Sequence, residues 1–123
     1  DDIINRKIEI ANLYNEKFCH VEAISMLPFK QENIRHSNWL YTILINKQIN
    51  RDSIIESLMQ SGIDTRPVFY PLHEMPPYKN YKHSGSLTNS INVSYAGLSL
   101  PSAVTLSNDD INFIAKTLIR VLK

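Results

Sequence analysis

Asn38–Phe69 reads NWLYTILINKQINRDSIIESLMQSGIDTRPVF, and this stretch decides the fold. Its first part, Asn38–Asn46, is rich in aromatic and β-branched residues, the composition of a strand. Apolar residues fall on both faces of that strand. This predicts a central strand, covered by protein on both sides or by a helix on one side and a partner domain on the other. Trp39 and Tyr41 are expected in the core. Asn50 is a good N-cap for a helix running to about Ser61, with Ile54, Ile55, Leu58 and Met59 as its buried stripe. Gly62 closes the helix as a residue that tolerates positive φ. Asp64–Phe69 is expected to form a second strand, where Pro67 points to a sheet edge or a strand end because it has no amide hydrogen.

Working outward, Ile4, Ile8, Ala11, Tyr14 (or Asn15) and Phe18 recur at helical spacing and predict an amphipathic helix from about Asp2 to Phe18. Asp1 and Asp2 suit the positive end of its dipole. A looser segment follows, with Pro28 ending any regular element. Leu87–Ala96 is expected to be a short helix ended by Gly97, and Leu98–Leu100 a short extended piece stopped by Pro101. Ser107 caps a last helix with Asp109 and Asp110 in its first turn. Ile111, Ile114, Leu118, Val121 and Leu122 form the apolar face of that helix. This order implies an α/β (α+β two-layer) domain, a short sheet with helices packed mainly on one face. Element order leaves parallel and antiparallel pairing open.

The 123 residues are 43% hydrophobic and 20% charged, which places the chain among folded proteins with one domain over 1–123. With 13 basic and 12 acidic residues it has no basic run of the density that nucleic acid or an anionic membrane surface requires. No apolar run is long enough to span a bilayer. A single cysteine, Cys19, allows no internal disulfide, and a reducing cytoplasm is the expected compartment. Cys19 and His20 are adjacent, and His36, His73 and His83 lack zinc-ligand spacing, so no metal site is expected. Gly62, Gly85 and Gly97 are too dispersed for a phosphate-binding loop, and no nucleophile elbow occurs. The chain opens on Asp1-Asp2 and enters a helical pattern at once, as expected of a fragment of a longer polypeptide.

The stretch with most chemistry is Gly62–Tyr81, GIDTRPVFYPLHEMPPYKNY. Pro67, Pro71, Pro76 and Pro77 hold its backbone on a partly rigid, non-helical path. Arg66, Phe69, Tyr70, His73, Tyr78 and Tyr81 are displayed on that path. An arginine fork, an imidazole and rings with polar tips suit a polar, planar or anionic ligand. By residue type alone, Arg66 reads more readily as a surface arginine and His73 as a structural histidine, while the tyrosines could simply staple the loop.

Four segments, in order, resemble the DegT/DnrJ/StrS aminotransferases. They are the opening helix INRKIEIANLYNEKF with Arg6, Ile10 and Tyr14; the strand SNWLYTILI; the loop SGIDTRPVFYPLHEMPPY; and LSLPSAVTLSNDDINFIAKTLIRVL. The loop is the most specific of them. The resemblance implies a type I fold enzyme using pyridoxal 5′-phosphate, which moves an amino group from L-glutamate to a keto group of a nucleotide-linked sugar. It implies that the lysine holding the cofactor as a Schiff base lies in a large N-terminal domain outside this chain. The chain is then the small C-terminal domain, carries no catalytic residue, binds no pyridoxal phosphate alone, and is inactive alone. The intact enzyme is expected to be a homodimer. Within it, Arg66 is expected to bind an anionic group, Tyr70 and His73 to contact the hexose or the cofactor region, and Pro67 and Pro71 to shape the loop. The competing reading is a non-catalytic binding module that uses the aromatic-proline loop 66–81.

Overall fold

The computed structural model describes residues 1–27, 33, 35–81 and 84–123. Pro28, expected to end a regular element, and His83 lie outside the described residues. The elements are α1 (Asp2–Phe18), β1 (Ile24–Met26), β2 (Tyr41–Ile45), α2 (Arg51–Gln60), β3 (Arg66–Pro67), a 3-10 turn (Leu72–Glu74), α3 (Thr88–Ala96), β4 (Gly97–Leu100) and α4 (Asn108–Val121). The sheet has the order β1-β2-β4-β3 and every pairing is antiparallel, which settles the question that element order left open.

Register assigns the two faces. Tyr41 lies opposite Leu100, and Ile43 opposite both Leu98 and Met26, so these residues share one face. Against that face pack Ile10, Ala11, Tyr14 and Phe18 of α1, Ile54 and Leu58 of α2, and Ile111, Ile114, Ala115 and Leu118 of α4, all in one continuous core. Each such aliphatic side chain contributes roughly 1.5–3 kcal/mol through its burial. At the centre the rings of Tyr14 and Tyr41 stack 4.7 Å apart. Their hydroxyls are satisfied: Tyr14 donates to the Pro101 carbonyl at 2.9 Å and Tyr41 to Asn15 Oδ1 at 2.8 Å. The α/β fold with helices mainly on one face is therefore as expected. The exception is α3. Gly97 shares a side of β4 with Ser99, and a Cβ built on it would lie 2.5 Å from the Val93 carbonyl oxygen of α3.

Several expectations are corrected. The strand read over 38–46 begins only at Tyr41. Asn38 takes φ 48 and its amide donates to His36 Nδ1 at 2.9 Å, a left-handed kink that an extended strand does not accommodate. Trp39, expected in the core, is 67% exposed beyond this kink. The strand read over 64–69 shrinks to Arg66–Pro67, followed by one further backbone hydrogen bond from the Val68 amide to the Gly97 carbonyl at 3.2 Å. It is an edge strand, as its proline implied. Met59 faces solvent instead of completing the α2 stripe. The three-residue β1 was not foreseen. The capping assignments hold: Asn50 Oδ1 accepts from the Asp52 and Ser53 amides, Gly62 takes φ 77, and Ser107 forms a reciprocal capping box with Asp110.

Candidate functional site

The loop is built outward from α2. After Gly62, Ile63 and Thr65 turn inward while Asp64 and Arg66 turn to solvent. Arg66 lies opposite Ser99, which lies opposite Thr42, and the two hydroxyls are 3.0 Å apart. Arg66 therefore stands on the side of the sheet away from the core. Val68 still donates its amide to the Gly97 carbonyl at 3.2 Å. Pro71 is buried with φ −64 and starts the 3-10 turn, which is closed by Glu74 and Met75 amides on the Pro71 and Leu72 carbonyls, each 3.0 Å. Turns continue through Tyr78 and Tyr81, whose amides reach the Met75 and Tyr78 carbonyls. Pro67 lies in β3 and Pro71 at the start of the 3-10 turn.

Residues Pro67–Phe69 form a ridge between two depressions. One is a trough of about 520 Å³ on the outer sheet face, lined by Trp39, Leu40, Thr42, Arg66, Ser99 and the ridge. The other is a groove of about 310 Å³, lined by Arg51, Tyr70, Ser94, Tyr95 and the ridge. The predicted site residues are therefore divided: Arg66 lines the trough and Tyr70 the groove. His73 lies beyond, half-buried in the 3-10 turn. Among the described residues no group of three His, Cys, Asp or Glu side chains could hold a metal ion.

Arg66 Nη2 bonds Asp64 Oδ2 at 2.8 Å, with both side chains well exposed, a pairing that water screens and an incoming anion can displace. The Tyr70 phenol has a raised pKa. The Glu74 carboxylate beside it is the main cause, followed by Tyr95, slight desolvation, and hydrogen bonds with Tyr95 and Glu74. Phe69, Tyr70, Leu72, Tyr95 and Trp39 are all at least half exposed, so the outer side of the sheet and the loop present an aromatic surface.

Sequence reasoning missed Tyr95, Glu74 and Arg51. Tyr95 sits on a helix of weak amphipathicity, and Glu74 has no pattern. Arg51 carried one usable sign: a cation in the first turn of a helix opposes the dipole.

A profile of the DegT/DnrJ/EryC1/StrS aminotransferase family matches residues 1–119, and the chain belongs to that family. It is 30% identical over 118 residues to the GDP-perosamine synthase of Escherichia coli O157:H7, covering 96% of this chain and 31% of that protein. The GDP-perosamine synthase of Vibrio cholerae is 31% identical over 117 residues, again with 31% of its length covered. Among solved structures, a DegT DnrJ EryC1 StrS aminotransferase from Brucella abortus superposes with a TM-score of 0.80 at 27% identity, over 94% of this chain and 30% of that one. DesI, solved with its TDP-sugar product, superposes at 0.86 with 24% identity, over 98% of this chain and 31% of that one, which shows the shared fold. The chain thus spans about 31% of the length of the curated relatives it matches. No helix among the described residues is long and apolar enough to cross a membrane.

Proposed function

We propose that this chain is the small C-terminal domain of a pyridoxal phosphate-dependent transaminase that moves the amino group of L-glutamate to the keto carbon of a nucleotide-linked sugar in the cytoplasm. The observation that carries the reading is the family match along residues 1–119, which takes in the whole loop. The names of the relatives make a GDP-linked keto-sugar the first acceptor to test.

We place the anchor for the cofactor outside this chain. Among the described residues no lysine lines the trough or the groove. Burial lowers the pKa of Lys7, a usual mark of a reactive amine, yet its Nζ donates to the Trp39 and Ser102 carbonyls at 3.1 and 2.5 Å. Lys47 is bonded to Asn92 Oδ1 at 3.1 Å. Pyridoxal phosphate supplies the electron sink for amino-group exchange, and in this reading another part of the polypeptide holds it. This chain contributes a wall of the substrate cleft. Arg66 offers a bidentate fork to the glutamate carboxylate or the pyrophosphate. Tyr70 and His73 offer hydrogen bonds to the hexose, on a path set by Pro67 and Pro71. A homodimer of the intact enzyme belongs to the same proposal.

The test mixes the purified chain with pyridoxal phosphate, followed by borohydride reduction and peptide mapping. The expected result is no stoichiometric adduct. A single modified lysine would mean that the chain holds the cofactor itself. For the whole polypeptide, glutamate and a GDP-linked keto-sugar should yield 2-oxoglutarate and the amino sugar. Binding of the sugar without any amino transfer would instead favour a module acting through loop 66–81.

A further inference from the structure

Arg51 opens α2, at the positive end of that helix, where a cation gains nothing from the dipole. Its side chain is nevertheless only 14% exposed. The guanidinium reaches across to other elements. Nη1 donates to the Ser94 carbonyl at 2.6 Å and more weakly to the Gly97 carbonyl at 3.3 Å. Nε and Nη2 both donate to Asp52 Oδ1, at 2.9 and 2.7 Å, which fixes the plane of the fork. Ser94 is in the last turn of α3, where carbonyls lack partners within the helix. That turn has no basic residue of its own. Arg51 therefore supplies from α2 the cation that the negative end of α3 favours.

Tyr95 lies in sequence between the two clamped carbonyls. It lines the same groove as Tyr70, with Arg51 and Ser94 as fellow lining residues. The corner it occupies is tight, since β4 begins at Gly97 with Val68 and the Val93 carbonyl packed against the glycine. We propose that Arg51 is a positioning residue for the candidate loop: by clamping the α3–β4 corner it sets Tyr95, which braces Tyr70 across the groove. Glu74, from the 3-10 turn, places its charge near the same phenol. Tyr70 and Tyr95 share the lining of one groove, and the charges of Glu74 and then Tyr95 raise the Tyr70 pKa. The consequence for catalysis rests on the reading of the loop as a substrate wall; the bracing itself does not.

The test uses the full chain with ring-labelled tyrosine, followed by carbon NMR across an alkaline titration. Tyr70→Phe and Tyr95→Phe assign the two resonances. Tyr95→Phe should lower the midpoint of Tyr70, with Glu74 retaining part of the upward shift. Arg51→Met should move both resonances and lower the Tyr70 midpoint, and Arg51→Lys should restore part of the change. An Arg51→Met chain that is folded yet has an unaltered Tyr70 midpoint and unaltered ring shifts overturns the proposal. If Arg51→Met does not fold, Tyr95→Phe decides, because it removes only a hydroxyl from an exposed ring; an unchanged Tyr70 there equally overturns it. Absence of transaminase activity in the parent polypeptide would defeat the functional reading and leave these spectra untouched.

Discussion

At the scale of single residues, exposure separates function from stability. Arg66 makes one exposed ion pair with Asp64, and such pairs contribute about 0–1 kcal/mol. Arg66→Ala should therefore leave urea unfolding of the chain almost unchanged. On the proposed function, Arg66→Ala in the longer polypeptide should lower kcat/KM by about 10- to 100-fold, the size of a hydrogen bond to a charged group. Equal kinetics in the two proteins would remove Arg66 from the site. Gly97 behaves in the opposite way. A Cβ there meets the Val93 carbonyl oxygen at 2.5 Å and the Val68 side chain closer still, and backbone cannot swing aside as a side-chain tip can. Gly97→Ala should cost about 1–3 kcal/mol in urea unfolding, as overpacking does. It should also disturb the corner that carries Tyr95.

Among the elements, α4 tests how local chemistry sets a helix boundary. Ser107 Oγ accepts from the Asp110 amide at 3.1 Å, and Asp110 Oδ2 accepts from the Ser107 amide at 2.8 Å. Removing the cap with Ser107→Ala should cost about 1 kcal/mol at neutral pH. Hydrogen bonds from Ser107, side chain first and backbone second, hold the Asp110 carboxyl below its ordinary value of 3.8. A carboxylate with a depressed folded-state pKa stabilises the fold above its unfolded value and ceases to do so as pH falls through the folded one. The stability gap between wild type and Ser107→Ala should therefore narrow in acid below the ordinary carboxylate range. Urea titrations at descending pH measure this, and a constant gap would mean that the ionised box contributes nothing. The loop shows the complementary case: after β3 the Val68 amide makes one further bond to β4, and beyond it the chain turns through the 3-10 segment and packs beside α3.

For the whole molecule, the two stacked core phenols govern behaviour in base. Burial pushes the Tyr14 pKa far above its ordinary value, with the Asp110 charge adding to the shift; burial does the same for Tyr41, with Tyr14 adding to it. A raised folded-state pKa stabilises the fold below the unfolded value and is lost as pH climbs past it. Cooperative unfolding should thus appear in circular dichroism as pH rises above the ordinary tyrosine value of 10.0, together with release of phenolate absorbance. Phenolate formation without loss of structure would contradict this. The outer face makes a second prediction. Trp39 is 67% and Phe69 73% exposed beside the trough, so the chain should self-associate at high concentration. A Trp39→Ser, Phe69→Ser double variant should suppress concentration-dependent light scattering with little change in unfolding midpoint.

By itself the sequence determined what short-range physics controls. The boundaries of α1 follow from its apolar spacing, the ends of α2 from Asn50 and Gly62, the start of α4 from Ser107, and the edge position of β3 from Pro67. The motif order also pointed to the family whose profile matches residues 1–119. Tertiary structure alone decided the rest. The strand β1 exists because Ile24–Met26 finds partners in Ile43–Ile45, a pairing that three residues do not announce. Trp39 points outward because Asn38 kinks the chain, although its composition reads as core. Arg66 and Tyr70 fall in separate depressions, and Arg51 with Tyr95 joins Tyr70, because β4 brings α3 against the loop. Periodicity and capping act over one or two helical turns, whereas side-chain direction at a sheet edge depends on register with residues far away in the chain.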